Sequence, residues 1–144
     1  MYTEKKFLIV IFLFVMTCLG SGDAISSRGR LIILSDMANE PDEEQQIVHL
    51  LMCSNELDIE GLIAVTGIFL KENPRPDLIH EIIDGYAGVV ENLKKHASGW
   101  PNPDYLRSVT ASGQRRYGIE AVGEGKSSPG SKLIIDAVIK PDPR

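Results

Sequence analysis

The chain has little cysteine, few aromatics and no excess of positive charge. It holds two cysteines, Cys18 and Cys53, in 144 residues, and Phe, Trp and Tyr together make up 6%. Cys18 lies in a removable leader, so no intrachain disulfide is available and a disulfide-stapled scaffold is excluded. Fifteen Lys and Arg against 20 Asp and Glu give a net charge of −5. That balance argues against nucleic acid or an anionic membrane surface as the main partner. No internal repeat or low-complexity tract is present. What remains is ordinary for a folded protein, with 43% hydrophobic and 24% charged residues and room for one domain at most.

The first 24 residues read as a separate object. Lys5 and Lys6 precede the apolar run FLIVIFLFVMTCLG from Phe7 to Gly20, and the small and polar residues SGDAISS follow. A basic start, an apolar centre and a small-residue exit make a secretory signal peptide. The run falls short of the roughly 20 apolar residues that span a bilayer, so no stable membrane insertion is expected after cleavage near Ala24. A retained anchor is the alternative. The reading is of an exported protein, periplasmic or secreted, with residues 25–144 as its folded part. Cys18 sits in VMTC, a loose likeness to a lipoprotein box, where Thr17 replaces the usual small residue. Cys53, in VHLLMC, is expected to be a small core hydrophobe rather than a nucleophile.

Leu31 to Leu34 form a continuous apolar run, suited to a strand covered on both faces. Pro41 fits the first turn of a helix capped at Asn39 or Glu40, with Ile47, Leu50 and Leu51 on its buried face and an end near Asn55. IEGLIAVTG, Ile59 to Gly67, reads as a second buried strand, which makes a βαβ unit of a parallel sheet. A long helix follows over about 77–95, with Ile79, Ile82, Tyr86, Val89 and Leu93 as its apolar stripe. Gly85 and Gly88 weaken that helix, which suggests close packing there. Residues 96–125 read as loop-rich, and a last helix starts near Ser128-Pro129 and stops before Pro141. The expected class is therefore α/β, a parallel sheet with flanking helices. Two strands alone leave their edges uncovered, so the pattern reads as the first half of a larger domain.

Between the first strand and first helix lie five carboxylates in nine positions: Asp36, Glu40, Asp42, Glu43 and Glu44. Acidic residues at a helix N-terminus gain about 0.3–1 kcal/mol each from the macrodipole. That explains one or two of them. Asp36, Asp42 and Glu43, brought together across one turn, repel unless something neutralises them. A hard divalent cation with oxygen ligands would do so, and calcium accepts irregular geometry better than magnesium. Ligands of open α/β sheets bind at this end of the strands.

SDMANEPDEEQQIVHLLMCSNELDIEGLIAVTG resembles the opening of the nucleoside-hydrolase-like domain of the bacterial cellulose-binding protein family. The likeness continues through RPDLIHEIIDGY, YLRSV, YGIEAVGEGKSSPGSKLIIDAV and KPDPR, from about Arg30 to Arg144. The resemblance implies a nucleoside-hydrolase-like α/β fold and hydrolysis of N-glycosidic, ribosyl bonds in a nucleoside or carbohydrate substrate. It assigns Ca2+ to Asp36, Asp42 and Glu43, the sugar hydroxyls to Asp42 and Asn39, and the deprotonation of the attacking water to Asp36. Two departures stand out: SDMANEP is longer than the hydrolase turn, and Glu43 replaces an aspartate. The alternative on the same fold is a secreted, non-catalytic cellulose-binding module. Trp100, Tyr105 and Tyr117 could then stack on sugar rings, or pack against the sheet.

Weaker signals fall away. GKS at Gly125 to Ser127 lacks the glycine of a phosphate loop, since Glu120 stands there, and Ser127 or Ser128 is expected to cap the last helix. His49, His80 and His96 show no ligand spacing.

Overall fold

A computed structural model describes residues 28–141. The leader, Cys18 and the cleavage point lie outside the described residues. Three strands form one parallel sheet in the order β1-β2-β3: β1 is Gly29–Ser35, β2 Leu57–Ala64 and β3 Thr110–Ser112. Four helices accompany them: α1 Pro41–Leu51, α2 Pro76–Leu93, α3 Pro103–Ser108 and α4 Pro129–Ile139. Each starts on a proline, whose missing N–H and fixed φ suit a first turn.

The sheet separates two layers. On one face Ile59, Leu62 and Ala64 of β2 pack with Ile47 and Leu51 of α1, Ile79, Ile83, Tyr86 and Val90 of α2, and Leu106 of α3. On the other face lies α4. A Cβ on Gly61 would strike the Leu133 side chain at 2.5 Å, so the bare backbone lets α4 sit close. The β1–β2 register slips between Leu31 and Ile32, which places Glu60 as the extra residue of a bulge. The slip sends Ile59 and Leu62 to the same face although they are three apart.

Several expectations change. The stretch 96–125 holds α3 and β3, both too short to announce themselves by periodicity. The sheet therefore has three strands rather than two. β1 is only half covered, and Leu34 is 56% exposed. The α2 stripe is rotated by one position, with Ile83 and Val90 buried and Val89 exposed, because α2 must meet both β2 and α1. Gly85 and Gly88 have open space around them instead of close packing. Helix α1 ends at Leu51, and Ser54–Glu56 form a separate 3-10 turn in which the buried Ser54 donates to the Leu51 carbonyl. That early end carries Cys53 off the apolar face, and its thiol is free and exposed.

Candidate functional site

The three strands end level. Val65 N–H donates to the Ser35 carbonyl at 2.9 Å, and Gly113 N–H to the Ala64 carbonyl at 2.8 Å. Asp36, Val65 and Gly113 thus start the three loops at the C-terminal edge of the sheet.

The turn after β1 is anchored from below and from the side. Met37 is fully buried beneath it, with the Ser35 hydroxyl 3.3 Å from its Sδ. Burying Met37 forces the next residue out, and Ala38 adopts a left-handed φ of 68°. The Asn39 amide then returns to donate to the Asp36 carbonyl at 2.7 Å. Its oxygen accepts from Phe69 N–H at 2.9 Å and Leu70 N–H at 2.8 Å, which ties the turn to the loop after β2. Gly67 makes this contact possible, since a Cβ there would collide with the Asp36 carboxylate and the Asn39 amide. Neither Met37 nor Gly67 was singled out from the sequence. The only cue was Gly67 itself, a glycine at the exit of a strand.

Glu40 caps α1, and the Glu43 carboxylate accepts from the Glu40 N–H at 2.9 Å. Carboxylate oxygens of Glu40, Asp42 and Glu43 all lie within 4.8 Å of one another. Oxygens around one hard cation stand at such separations, because each sits about 2.3–2.6 Å from calcium. Glu40 and Asp42 are exposed, and Glu43 is partly covered. Of the expected ligands, Asp42 and Glu43 therefore converge, with Glu40 as the third member. Asp36 stands apart, over Gly67. Among the described residues no salt bridge reaches Asp36, Glu40, Asp42 or Glu43. Asn39, expected at a sugar hydroxyl, spends its amide oxygen on the loop.

A cleft of about 850 Å³ opens at the C-terminal end of β3, lined by Arg115, Arg116, Glu120, Lys126 and Ser128. Ser128 caps α4, its hydroxyl accepting from Ser131 N–H at 3.1 Å, as expected of that position. The loop after β2 borders both this cleft and the acidic turn. Its Lys71 carbonyl accepts from Tyr117 N–H at 2.8 Å, and Asn73 N–H donates to the Arg115 carbonyl at 2.9 Å. Two aromatics on these loops are open to solvent: Tyr117 is half exposed, and Phe69, whose N–H bonds Asn39, is 70% exposed. Trp100 packs against the main core, and its buried Nε1 has no partner. Tyr105 donates its hydroxyl to the Ile59 carbonyl at 2.8 Å, within the sheet's lower half.

The strongest titration shift lies elsewhere. Glu60 is held at about 2 by hydrogen bonds from Arg30, chiefly, and Lys140. This network is structural, and perturbed groups of that sort need not mark a site.

Known proteins place the fold. A solved structure of a nucleoside hydrolase-related protein from Saccharophagus degradans, associated with carbohydrate metabolism, superposes with a TM-score of 0.78 at 46% identity. The match covers 82% of this chain and 29% of that one, so this chain spans less than a third of the relative's length. No curated protein sequence matches. Residues 30–144 match the family described as cellulose-binding Sde182, nucleoside hydrolase-like domain. The sheet and its flanking helices are thus of nucleoside-hydrolase-like type, and the chain belongs to the cellulose-binding Sde182 family through that domain.

Proposed function

We propose that this chain binds a saccharide at the C-terminal edge of its sheet, with the acidic turn from Asp36 to Glu43 facing the sugar hydroxyls. The observation that carries the reading is the set of carboxylates left without a cationic partner at this edge. Unpaired carboxylates accept hydrogen bonds from hydroxyls, and each such charged bond is worth about 1.5–3 kcal/mol. Glu40, Asp42 and Glu43 would hold a calcium-type ion, which supplies charge neutralisation and a Lewis acid toward hydroxyl oxygens. Tyr117, half exposed and next in sequence to Arg116 of the cleft wall, would offer its ring to a bound sugar. The family's cellulose-binding description supports a carbohydrate ligand encountered outside the cell.

Glycosidic hydrolysis is the second reading, favoured by Asp36. Its carboxylate stands clear of the Glu40, Asp42 and Glu43 cluster, at the end of β1, where it would take a proton from water attacking an anomeric carbon. Binding is tested by titrating cello-oligosaccharides and nucleosides into the protein with and without calcium. Asp42→Asn should weaken saccharide binding at least tenfold, and Tyr117→Ala severalfold. No measurable binding by the unaltered chain, or binding indifferent to both substitutions, would overturn the proposal. Ribosyl or glycosyl release that vanishes in Asp36→Asn while binding persists would support the hydrolytic reading.

A further inference from the structure

The cleft at the end of β3 carries charge of the opposite sign to the acidic turn. Its lining includes Arg115, Arg116 and Lys126, with Glu120 as the one carboxylate. In a chain of net charge −5, three cations against one carboxylate around about 850 Å³ is a local reversal. Like charges gathered in one place repel unless something neutralises them. Among the described residues no salt bridge reaches any of the three cations, and no hydrogen bond engages either guanidinium.

The backbone holds these cations at the cleft. Asn73 N–H donates to the Arg115 carbonyl at 2.9 Å, and Arg116 faces Glu72 in an isolated antiparallel bridge. Both arginines thus sit on a ribbon tied to the loop after β2. Lys126 arrives through a loop that turns on Gly123 and Gly125, at left-handed φ values of 136° and 73°. Its N–H donates to the Gly123 carbonyl at 3.2 Å, and its ammonium donates to the Glu120 carbonyl. An ammonium carries three donors, so two remain for a ligand. The start of α4 adds no donor at its first two positions. Pro129 has no N–H, and the Ser128 hydroxyl already accepts from Ser131 N–H. Side chains therefore do the holding here, whereas in a phosphate loop the backbone N–H groups do it.

We propose that this cleft is an oxyanion subsite, which takes the carboxylate or phosphate carried by an acidic sugar. A guanidinium presents paired, coplanar N–H donors that match either group, and it keeps its charge at any physiological pH. The loop after β2 borders both this cleft and the acidic turn. A ligand lying across that loop would turn hydroxyls toward Asp36 to Glu43 and its anionic substituent toward Arg115 and Arg116. The sugar as carrier rests on the saccharide reading above; the oxyanion contact does not.

The experiment titrates glucose, glucuronate, glucose-6-phosphate and inorganic phosphate into the chain by calorimetry, at low salt and without calcium. At least one of the two anionic sugars should bind about tenfold more tightly than glucose, and the tighter one identifies the source of the oxyanion. Arg115→Gln together with Arg116→Gln should abolish that preference without moving the melting temperature, since both side chains are exposed. The matched charge loss Lys94→Gln with Lys95→Gln, just past α2, should leave the preference intact. Failure of the saccharide reading is read separately. Inorganic phosphate would then bind through the two arginines while no sugar does, which keeps the subsite and removes only the sugar as carrier. Equal affinity for charged and neutral sugars with no phosphate bound overturns the proposal. A preference that survives the loss of both arginines, or that is lost equally in the lysine control, overturns it too.

Discussion

The two ends of this sheet use the same side-chain chemistry in opposite ways. Toward its N-terminal end, Glu60 is 10% exposed and gripped by Arg30 at 2.5 Å and Lys140 at 2.9 Å. At its C-terminal end, Glu40, Asp42 and Glu43 crowd together, and among the described residues no salt bridge reaches them. A carboxylate taken from water must be paired, so the first arrangement holds α4 to the sheet. A carboxylate left at a crevice without a pair is available to something else. The contrast separates charge that serves the fold from charge that is open to a ligand.

Substitutions on the two sides should therefore differ most in stability. Arg30→Ala leaves Glu60 short of its main partner and is expected to destabilise by about 3 kcal/mol in denaturant melts. A loss under 1 kcal/mol would erase the distinction between the two ends. Asn39→Ala probes the joint between the acidic turn and the loop after β2. It strips the acceptor from the Phe69 and Leu70 N–H groups and should cost about 1–3 kcal/mol, read by the same melts.

Acid should weaken the paired end. Glu60 is lowered from an ordinary 4.5 to about 2 by Arg30 and Lys140. A lowered carboxylate stabilises fully above its unfolded value, and the contribution fades as pH falls from about 4.5 toward 2. Glu60→Gln should flatten that part of the stability-against-pH curve; an unchanged slope would assign it to other groups. The smallest stability effect is expected at the open end. Asp42→Asn removes one favourable macrodipole interaction, worth about 0.3–1 kcal/mol, yet should abolish any calcium-dependent rise in melting temperature. A calcium effect that survives the substitution would move the cation elsewhere.

The legible parts of the fold were those with strong local signals. The run LIIL, the Pro41 start and the stripe beginning at Ile79 placed β1, α1 and α2 to within a few residues, and Ser128 was legible as the α4 cap. β3 escaped because Thr110–Ser112 are neither long nor apolar; they form a strand only because β2 offers them a ladder. The open space at Gly85 and Gly88 was equally invisible, since helix sequence does not say which neighbours will arrive. The acidic turn was legible as a cluster, but its partition was not. Glu40 joins Asp42 and Glu43 because a helix turn places them on one rim, while Met37 inserts into the core and holds Asp36 back over Gly67.

By itself, then, the sequence determined the α/β class, the family and the turn where negative charge collects, because hydrophobic period, proline position and charge are local properties. The tertiary structure decided which carboxylates converge, which one is neutralised and which face of β1 stays open. Those depend on contacts between residues far apart in the chain, such as Arg30 with Glu60 and Asn39 with Leu70. Side-chain pattern along a strand carries no record of what packing brings across it.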